Sequence, residues 1–188
     1  MSSEFADHER PDRSDNHLEV RSGHWLQLDP RTTYGLARLR YEVFTMGQGI
    51  TSEQDLDGAD LDPTTTTYWV EDEGVPVATL RVLRGPSGLP AIGRVATSPT
   101  HRGRGLAGSL LNAAVADHDG ETIDLHAQAY LENWYERFGF TRSGDPDVEA
   151  GIPHVPMRRG VGSPHHPNPS TRPGARGAGA PAPDIKQK

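Results

Sequence analysis

Hydrophobic side chains recur at helical spacing in two parts of the chain. Asp29 and Pro30 form a pair typical of a helix start, and apolar residues follow it at steps of three and four. This pattern predicts a helix over 31–45. A wider apolar stripe predicts a second helix over 104–118. The residues that form the two stripes are Leu36, Leu39, Val43, Leu106, Ala107, Leu110, Leu111, Ala114 and Val115.

Runs rich in β-branched residues and bounded by turn residues predict a series of strands. The strands are expected at 25–28, 66–71, 75–83, 91–97, 122–127, 140–144 and 154–158. A short helix over 131–139 ends at Gly139, which is the usual residue type after a helix C-terminus. Pro76 indicates that its strand begins irregularly or at an edge. The order of elements predicts an α+β fold with a mixed, mostly antiparallel sheet flanked by helices.

Both ends of the chain differ in composition from its middle. Residues 1–22 are almost entirely polar or charged, and residues 160–188 are rich in Gly and Pro and lack aromatic side chains. Such segments bury too little apolar surface to offset the entropy lost on ordering. We therefore expect one folded domain over 23–159 between two disordered segments.

The composition excludes several classes of function. The chain has no Cys, which removes disulfide scaffolds, thiolate nucleophiles and Cys-ligated metal sites. No apolar run is long enough for a membrane span and the polar N-terminus does not resemble a signal peptide, so we expect a cytoplasmic protein without membrane contact. The net charge of -7 disfavours nucleic acid as a partner.

A segment rich in Gly and Arg lies between the predicted strand 91–97 and the helix 104–118. Residues Arg102 to Gly108 place three glycines and two arginines at a helix start. Helix N-terminal amides lack intrahelical partners and carry a positive partial charge, so this segment can bind an anion such as a phosphate. The alternative is a glycine-rich connection with surface arginines.

Other known motifs fit this segment poorly. Gly103, Gly105 and Gly108 have the spacing of the dinucleotide fingerprint, but five residues separate them from the strand and too little chain follows to build that fold. No Lys-Ser or Lys-Thr pair follows, which excludes a P-loop. No histidine spacing indicates a metal site, and Asp57 and Asp60 lack the remainder of a calcium loop, so we interpret them as solvated turn residues.

The pattern Arg102-x-x-Gly105-x-Ala107 resembles the R/Q-x-x-G-x-G/A motif of the GNAT acyltransferases, at the strand-to-helix junction where that family carries it. The segment NWYERFGF (133–140) resembles the part of the family in which a Tyr precedes a Gly-Phe turn. Further stretches resemble the ElaA-like branch: LRYEVF (39–44), DLDGADL (55–61), IGRV (92–95), LHAQAY (125–130) and GIPHVPMRR (151–159). The resemblance covers 24–159 and implies the GNAT acyl-CoA N-acyltransferase fold.

The resemblance also implies an activity, which is transfer of an acetyl group from acetyl-CoA directly to a primary amine. The acceptor is then an amine-bearing small molecule or a protein amino group, no metal takes part, and a homodimer is one assembly that the family allows. The implied acetyl-CoA-binding residues are Val95, Thr97, Arg102, Gly103, Arg104, Gly105, Leu106, Ala107, Gly108 and Asn133.

The same resemblance indicates Tyr135 as the acid that protonates the leaving thiolate. A phenol with a pKa of about 10 and a thiol with one of about 8.5 differ little, so the transfer is workable. The alternative for Tyr135 is packing in the core. His126, His154 and Glu42 are candidates for the base that deprotonates the amine, and a structural role is the alternative for each.

Two other functions stay open. The domain could be an acyl-CoA-binding sensor without catalytic activity. It could also bind a nucleotide or nucleic acid through Arg94, Arg102, Arg104 and His101, and such binding would depend steeply on salt concentration.

Overall fold

The computed structural model describes residues 18–163, which form one eight-stranded sheet with three helices. The strands are β1 (Val20–Gly23), β2 (Thr66–Asp72), β3 (Val75–Arg84), β4 (Pro90–Thr97), β5 (Ile123–Gln128), β6 (Thr141–Arg142), β7 (Asp147–Glu149) and β8 (Ile152–Arg159). The helices are α1 (Pro30–Arg40), which continues as a π-helical segment over Tyr41–Gly47, α2 (Leu106–Asp117) and α3 (Glu132–Glu136).

The strands lie in the order β1-β2-β3-β4-β5-β8-β6, and β7 also pairs with β8. All pairs are antiparallel except β4 with β5, which the α2 crossover connects in parallel. The β2-β3 hairpin turns at Glu73 and Gly74, both at positive φ, as a two-residue turn between twisted strands requires. The expected mixed, mostly antiparallel sheet is therefore present.

Helices cover the two faces of the sheet unequally. α2 and α3 pack on one face, where Leu110, Leu111 and Tyr135 belong to the main apolar core. α1 packs on the other face, where Leu39 and Val43 contact Ala96 of β4. We call these the α2 face and the α1 face. No helix among residues 18–163 combines the length and the apolar character that a membrane span needs.

The prediction of a first strand at 25–28 is wrong. Trp25–Gln27 form a 3-10 turn, in which the His24 side chain accepts a hydrogen bond from the Leu26 amide at 3.3 Å. The first strand is Val20–Gly23, which begins before the expected domain start at residue 23 and pairs with β2. An edge strand needs a backbone partner on one side only, so a polar sequence can form it.

Three other elements differ from expectation. The helix over 31–45 is present, but its hydrogen bonding changes to the π type at Tyr41. The strand at 140–144 shortens to Thr141–Arg142. The strand Asp147–Glu149 was missed because it is short and polar, and because Ala150, with a φ of 49°, is an unusual residue in the two-residue turn that joins it to β8.

Candidate active site

The parallel strands β4 and β5 separate soon after they meet. Their ladder consists of two pairs, Ala91 with Asp124 and Ile92 with Leu125. Beyond these pairs, residues 93–97 still pair with β3 and residues 126–128 pair with β8. The inner edges of both strands thus carry backbone N–H and C=O groups without a strand partner. We call this opening, between 93–97 and 126–128, the seam.

A bulge shapes the β4 wall of the seam. The β3-β4 register shifts between Thr79 and Arg81, and Arg94 adopts a φ of 53°. Left-handed backbone is unfavourable for a residue with a Cβ, so neighbouring interactions must hold it. The Arg94 side chain forms ion pairs with Asp55 at 3.0 Å and Asp57 at 3.1 Å. The acidic loop therefore ties down the bulge.

The interpretation as a solvated turn residue is wrong for Asp60, whereas Asp57 is exposed but also ion-paired. Asp60 is 3% exposed and accepts hydrogen bonds from Arg40 at 2.8 Å and from Arg81 at 3.2 Å. Asp57 binds both terminal nitrogens of Arg81, and these hydrogen bonds hold the pKa of Asp57 well below its usual range. Buried guanidinium groups need such partners because an unpaired buried charge is costly. Together with Asp55 and Arg94, these residues form a network that we call the Arg-Asp network.

The segment between β4 and α2 presents unpaired amides toward solvent. The first intrahelical hydrogen bond of α2 runs from the Ser109 amide to the Gly105 carbonyl at 3.0 Å, so the amides of residues 105–108 precede the ladder. Gly105 makes no side-chain cap and adopts a φ of 77°, while Gly103 has a φ of 75° with open space where a Cβ would lie. These are the features of an anion site at a helix N-terminus.

The two arginines of this segment have different partners. Arg102 is exposed and donates to the Thr97 carbonyl at 3.4 Å, a contact that leaves its charge unbalanced. Arg104 lies 3.4 Å from the Asp72 carboxylate, which also contacts His101 at 3.0 Å. Asp72 has a lowered pKa, chiefly because of the hydrogen bond with His101. Arg102 is thus the better placed cation for a phosphate.

Tyr135 lies in the core on the α2 face. Its ring packs edge-on against Trp134 at 4.8 Å and against Phe140 at 6.1 Å. Burial raises the pKa of its hydroxyl, which makes no hydrogen bond to any residue of 18–163. The raised pKa keeps the phenol neutral and protonated. It also makes Tyr135 a weaker acid than a free phenol toward a leaving thiolate whose conjugate acid has a pKa of about 8.5.

A chain of hydrogen bonds crosses the end of the seam. Tyr130 donates to Gln128 Oε1 at 2.5 Å, and Gln128 Nε2 donates to Gln48 Oε1 at 3.2 Å. Gln48 ends the π-helical segment, so the chain joins the first helix to β5. The sequence analysis missed all three residues. The one available signal was that Gln128 and Tyr130 lie in the LHAQAY segment.

Two of the three base candidates lie together on the α1 face. His126 and His154 have ring centroids 5.1 Å apart, although 28 positions separate them in sequence. His126 Nδ1 is 2.9 Å from Glu149 Oε2 and its Nε2 is 2.9 Å from Asp147 Oδ1. His154 Nδ1 lies 2.8 Å from the Ile152 carbonyl.

Glu42, the third base candidate, lies apart from this pair. It accepts a hydrogen bond from Arg38 at 2.7 Å in an exposed ion pair on its own helix.

The remaining predicted site residues occupy the expected elements. Val95 and Thr97 lie on the β4 wall, and Asn133 is exposed on α3. Leu106, Ala107 and Gly108 form the first turn of α2, where Gly108 faces the Phe138 ring. Within residues 18–163, no group of three His, Cys, Asp or Glu side chains could hold a metal ion.

Comparison with known proteins identifies the family to which this chain is similar in sequence. The family model described as an acetyltransferase (GNAT) domain matches residues 41–160. A UPF0039 protein of Mycobacterium tuberculosis is 40% identical over 136 residues, covering 70% of this chain and 86% of the relative. Protein ElaA of Escherichia coli is 34% identical over 152 residues, which are 77% of this chain and 97% of ElaA.

Solved structures agree with this result. An acyl-CoA N-acyltransferase from Pseudomonas aeruginosa superimposes with a TM-score of 0.70 at 33% identity, over 76% of this chain and 99% of that one. Escherichia coli ElaA superimposes with a TM-score of 0.68 at 31% identity, over 76% and 99%. The predicted family and the predicted GNAT fold are thereby confirmed. This chain belongs to the GNAT acetyltransferase family, with ElaA among its relatives.

Proposed function

We propose that this protein is an acetyl-CoA-dependent N-acetyltransferase that moves an acetyl group directly to a primary amine. The observation that carries the proposal is the combination of the seam with the unpaired amides at the start of α2. Together they offer one continuous site for a long ligand that has a phosphate end and an amide-containing arm. The absence of Cys is compatible with direct transfer, since no acyl-cysteine is needed.

The segment Arg102 to Gly108 supports binding of the pyrophosphate. The amides of residues 105–108 donate to phosphate oxygens, and the open space beside Gly103 permits close approach. Arg102 supplies a positive charge. Charge-assisted hydrogen bonds of this kind contribute about 1.5 to 3 kcal/mol each. Asn133, exposed on α3, is the proposed polar contact for the remainder of the ligand.

The seam supports binding of the extended arm. The arm of acetyl-CoA contains two amide groups, and the inner edge of β4 around Val95 and Thr97 has backbone groups without a strand partner. An extended chain can pair with such an edge as an added strand does. A backbone N–H of the same stretch then donates to the thioester oxygen as that oxygen gains negative charge.

Tyr135 is the proposed acid. The amine nitrogen forms a bond to the thioester carbon, the carbon–sulfur bond breaks, and the Tyr135 hydroxyl protonates the sulfur that leaves. The amine loses one proton to a base, for which His126 and His154 are the candidates. The products are an N-acetyl amide and CoA with a free thiol, and Tyr135 regains a proton from water.

The acceptor is proposed to be a small amine or a protein amino group. An amine with a pKa of about 10.4 is neutral in about one molecule in 2,500 at pH 7, so a base is needed to remove its proton. The cytoplasmic location, the homodimer and the absence of a nucleic-acid partner stay predictions. The pairing of Arg94 with Asp55 and Asp57 supports the prediction that nucleic acid is not a partner, because the charge of Arg94 is already balanced.

The test combines binding and turnover. Calorimetric titrations with acetyl-CoA, CoA and NADH are compared for the parent protein, Arg102→Glu and Arg84→Glu. Arg84 is on β3, opposite Pro90 at the start of β4, whereas α2 follows the end of β4. It contacts Glu121, and its charge reversal serves as the matched control. Release of CoA thiol is then followed with a panel of amines and amino-terminal peptides.

We expect acetyl-CoA binding that Arg102→Glu weakens at least tenfold and Arg84→Glu leaves intact, together with amine-dependent thiol release. Binding without turnover on every amine would favour an acyl-CoA sensor instead. A protein that binds NADH and not acetyl-CoA would overturn the proposal.

A further inference from the structure

His126 is held between two carboxylates. It forms a hydrogen bond through Nδ1 with Glu149, and Asp147 Oδ1 lies 2.9 Å from Nε2. A carboxylate accepts and does not donate, so Nδ1 carries a proton. Both ring nitrogens of His126 therefore lie against carboxylate oxygens, which leaves neither nitrogen open to an acceptor amine.

His154 has the opposite arrangement. Its Nδ1 is 2.8 Å from the Ile152 carbonyl, which can only accept, so the proton of a neutral ring lies on Nδ1. The lone pair then lies on Nε2, which has no hydrogen-bond partner within residues 18–163. The ring is 8% exposed. The ring of His126 lies 5.1 Å away, measured between ring centroids.

His154 lies on β8, one strand away from the seam. It lies directly across from Gln128, the last residue of β5, and side chains of directly opposed residues project from the same face of a sheet. Leu125 and Ala127 belong to the main core on the α2 face, so Gln128 and His154 project from the α1 face. Tyr135 lies on the α2 face. Tyr135 and His154 thus lie on opposite sides of the sheet.

Resting on the proposed function, we propose that His154 is the general base, whose Nε2 takes the proton of the acceptor amine, and that His126, held by two carboxylates, is a positioning residue. The amine proton moves to Nε2 as the bond to the acetyl carbon forms, and it passes to water after product release. The titratable groups that face the pair are Asp147 and Glu149 on β7 and Tyr130 on the turn after β5.

The test is a set of histidine variants, each studied by the pH dependence of kcat/KM and by calorimetric affinity for acetyl-CoA. His154→Asn keeps a side-chain donor for the Ile152 carbonyl and removes the base. His154→Ala opens space for added imidazole. His126→Gln removes the ring that packs beside His154. His118→Asn is the matched control, since this histidine binds Glu121 just after the end of α2, away from the seam.

We expect His154→Asn to bind acetyl-CoA as the parent does, to lose about 10²- to 10⁴-fold in kcat and to lack the acidic limb of the pH profile. Added imidazole should restore part of the activity of His154→Ala. His126→Gln should keep the limb, because the base is still present, and should lose less in kcat than His154→Asn. His118→Asn should match the parent.

Three results would overturn the assignment of the base. The first is an acidic limb that is unchanged in His154→Asn, and the second is a limb that is lost in His126→Gln but kept in His154→Asn. The third is a folded His154→Ala to which imidazole restores no activity. A wrong proposed function gives a different result from a wrong base, because the parent protein itself would then release no CoA with any amine.

Discussion

Removal of Asp60 should destabilise the fold more than removal of any exposed carboxylate. Asp60 is 3% exposed and accepts hydrogen bonds from two buried arginines, Arg40 at 2.8 Å and Arg81 at 3.2 Å. Asp60→Asn keeps the shape of the side chain and removes the negative charge. Two guanidinium groups that are 1% and 5% exposed then lose one charged partner each, and only Asp55 remains for Arg40 and Asp57 for Arg81.

The expected size of the loss follows from the two contacts. Hydrogen bonds to charged groups contribute about 1.5 to 3 kcal/mol each, and breaking a buried ion pair costs about 3 to 5 kcal/mol. We therefore expect a loss of about 3 to 5 kcal/mol in the free energy of unfolding. For a domain of this size, the loss corresponds to a decrease in Tm of about 6 to 20 °C.

The assay is urea denaturation and thermal melting of the parent, Asp60→Asn and Asp62→Asn. Asp62 is an exposed aspartate close by that bonds locally to Thr64, so Asp62→Asn should melt close to the parent. The combination of Asp60→Asn with Arg40→Met should cost less than the sum of the single variants, because the pair is coupled. A loss below about 1 kcal/mol for Asp60→Asn, or additive variants, would refute the reasoning.

Three further predictions concern other positions. Asp57 has a lowered pKa in the folded state because of its hydrogen bonds with Arg81, so the stability it contributes is present above the unfolded pKa of about 3.9 and is lost as the pH falls further. Denaturation midpoints between pH 7 and pH 3 should therefore fall less steeply for Asp57→Asn than for the parent. Arg94→Ala should be about 1 kcal/mol less stable than Arg94→Gly in urea, because only glycine adopts a φ of 53° without strain; equal stabilities would contradict this. Gly35→Ala should cost about 1 to 3 kcal/mol despite the higher helix propensity of alanine, since the added Cβ would lie 2.7 Å from Pro76 Cδ, and a stabilised variant would exclude this contact.

The elements with strong local signals were predictable from sequence. The hairpin β2-β3, the strand β4, the helix α2 and the positive-φ turn at Gly139 all depend on turn residues, periodicity or caps within a few positions, although α3 itself ends at Glu136. The strand Val20–Gly23 and the strand Asp147–Glu149 carry no such signal. Both are short and polar, and both are held by pairing with a longer neighbour.

The contacts of the candidate site were less predictable than its location. The segment that begins α2 could be found because a helix start and its glycines are adjacent in sequence. The partners of His126 could not, since Asp147 and Glu149 lie on a strand with no sequence signature. The role of Asp60 was also hidden, because a turn-rich segment with several aspartates normally faces solvent. Its partners Arg40 and Arg81 lie 20 and 21 residues away.

The Arg-Asp network gives the acidic loop a structural reason for its position. The loop could attract a cationic acceptor only if its carboxylates were available, but Asp55, Asp57 and Asp60 are paired with buried or half-buried arginines. One of the partners, Arg94, is the residue whose left-handed backbone forms the bulge in β4. The negative charge of the loop therefore acts inside the fold, where it holds one wall of the seam in a conformation that the β4 sequence alone would not favour. If the proposed function holds, the other wall of the seam is the one left to contact the acceptor, and it carries His126 and Gln128.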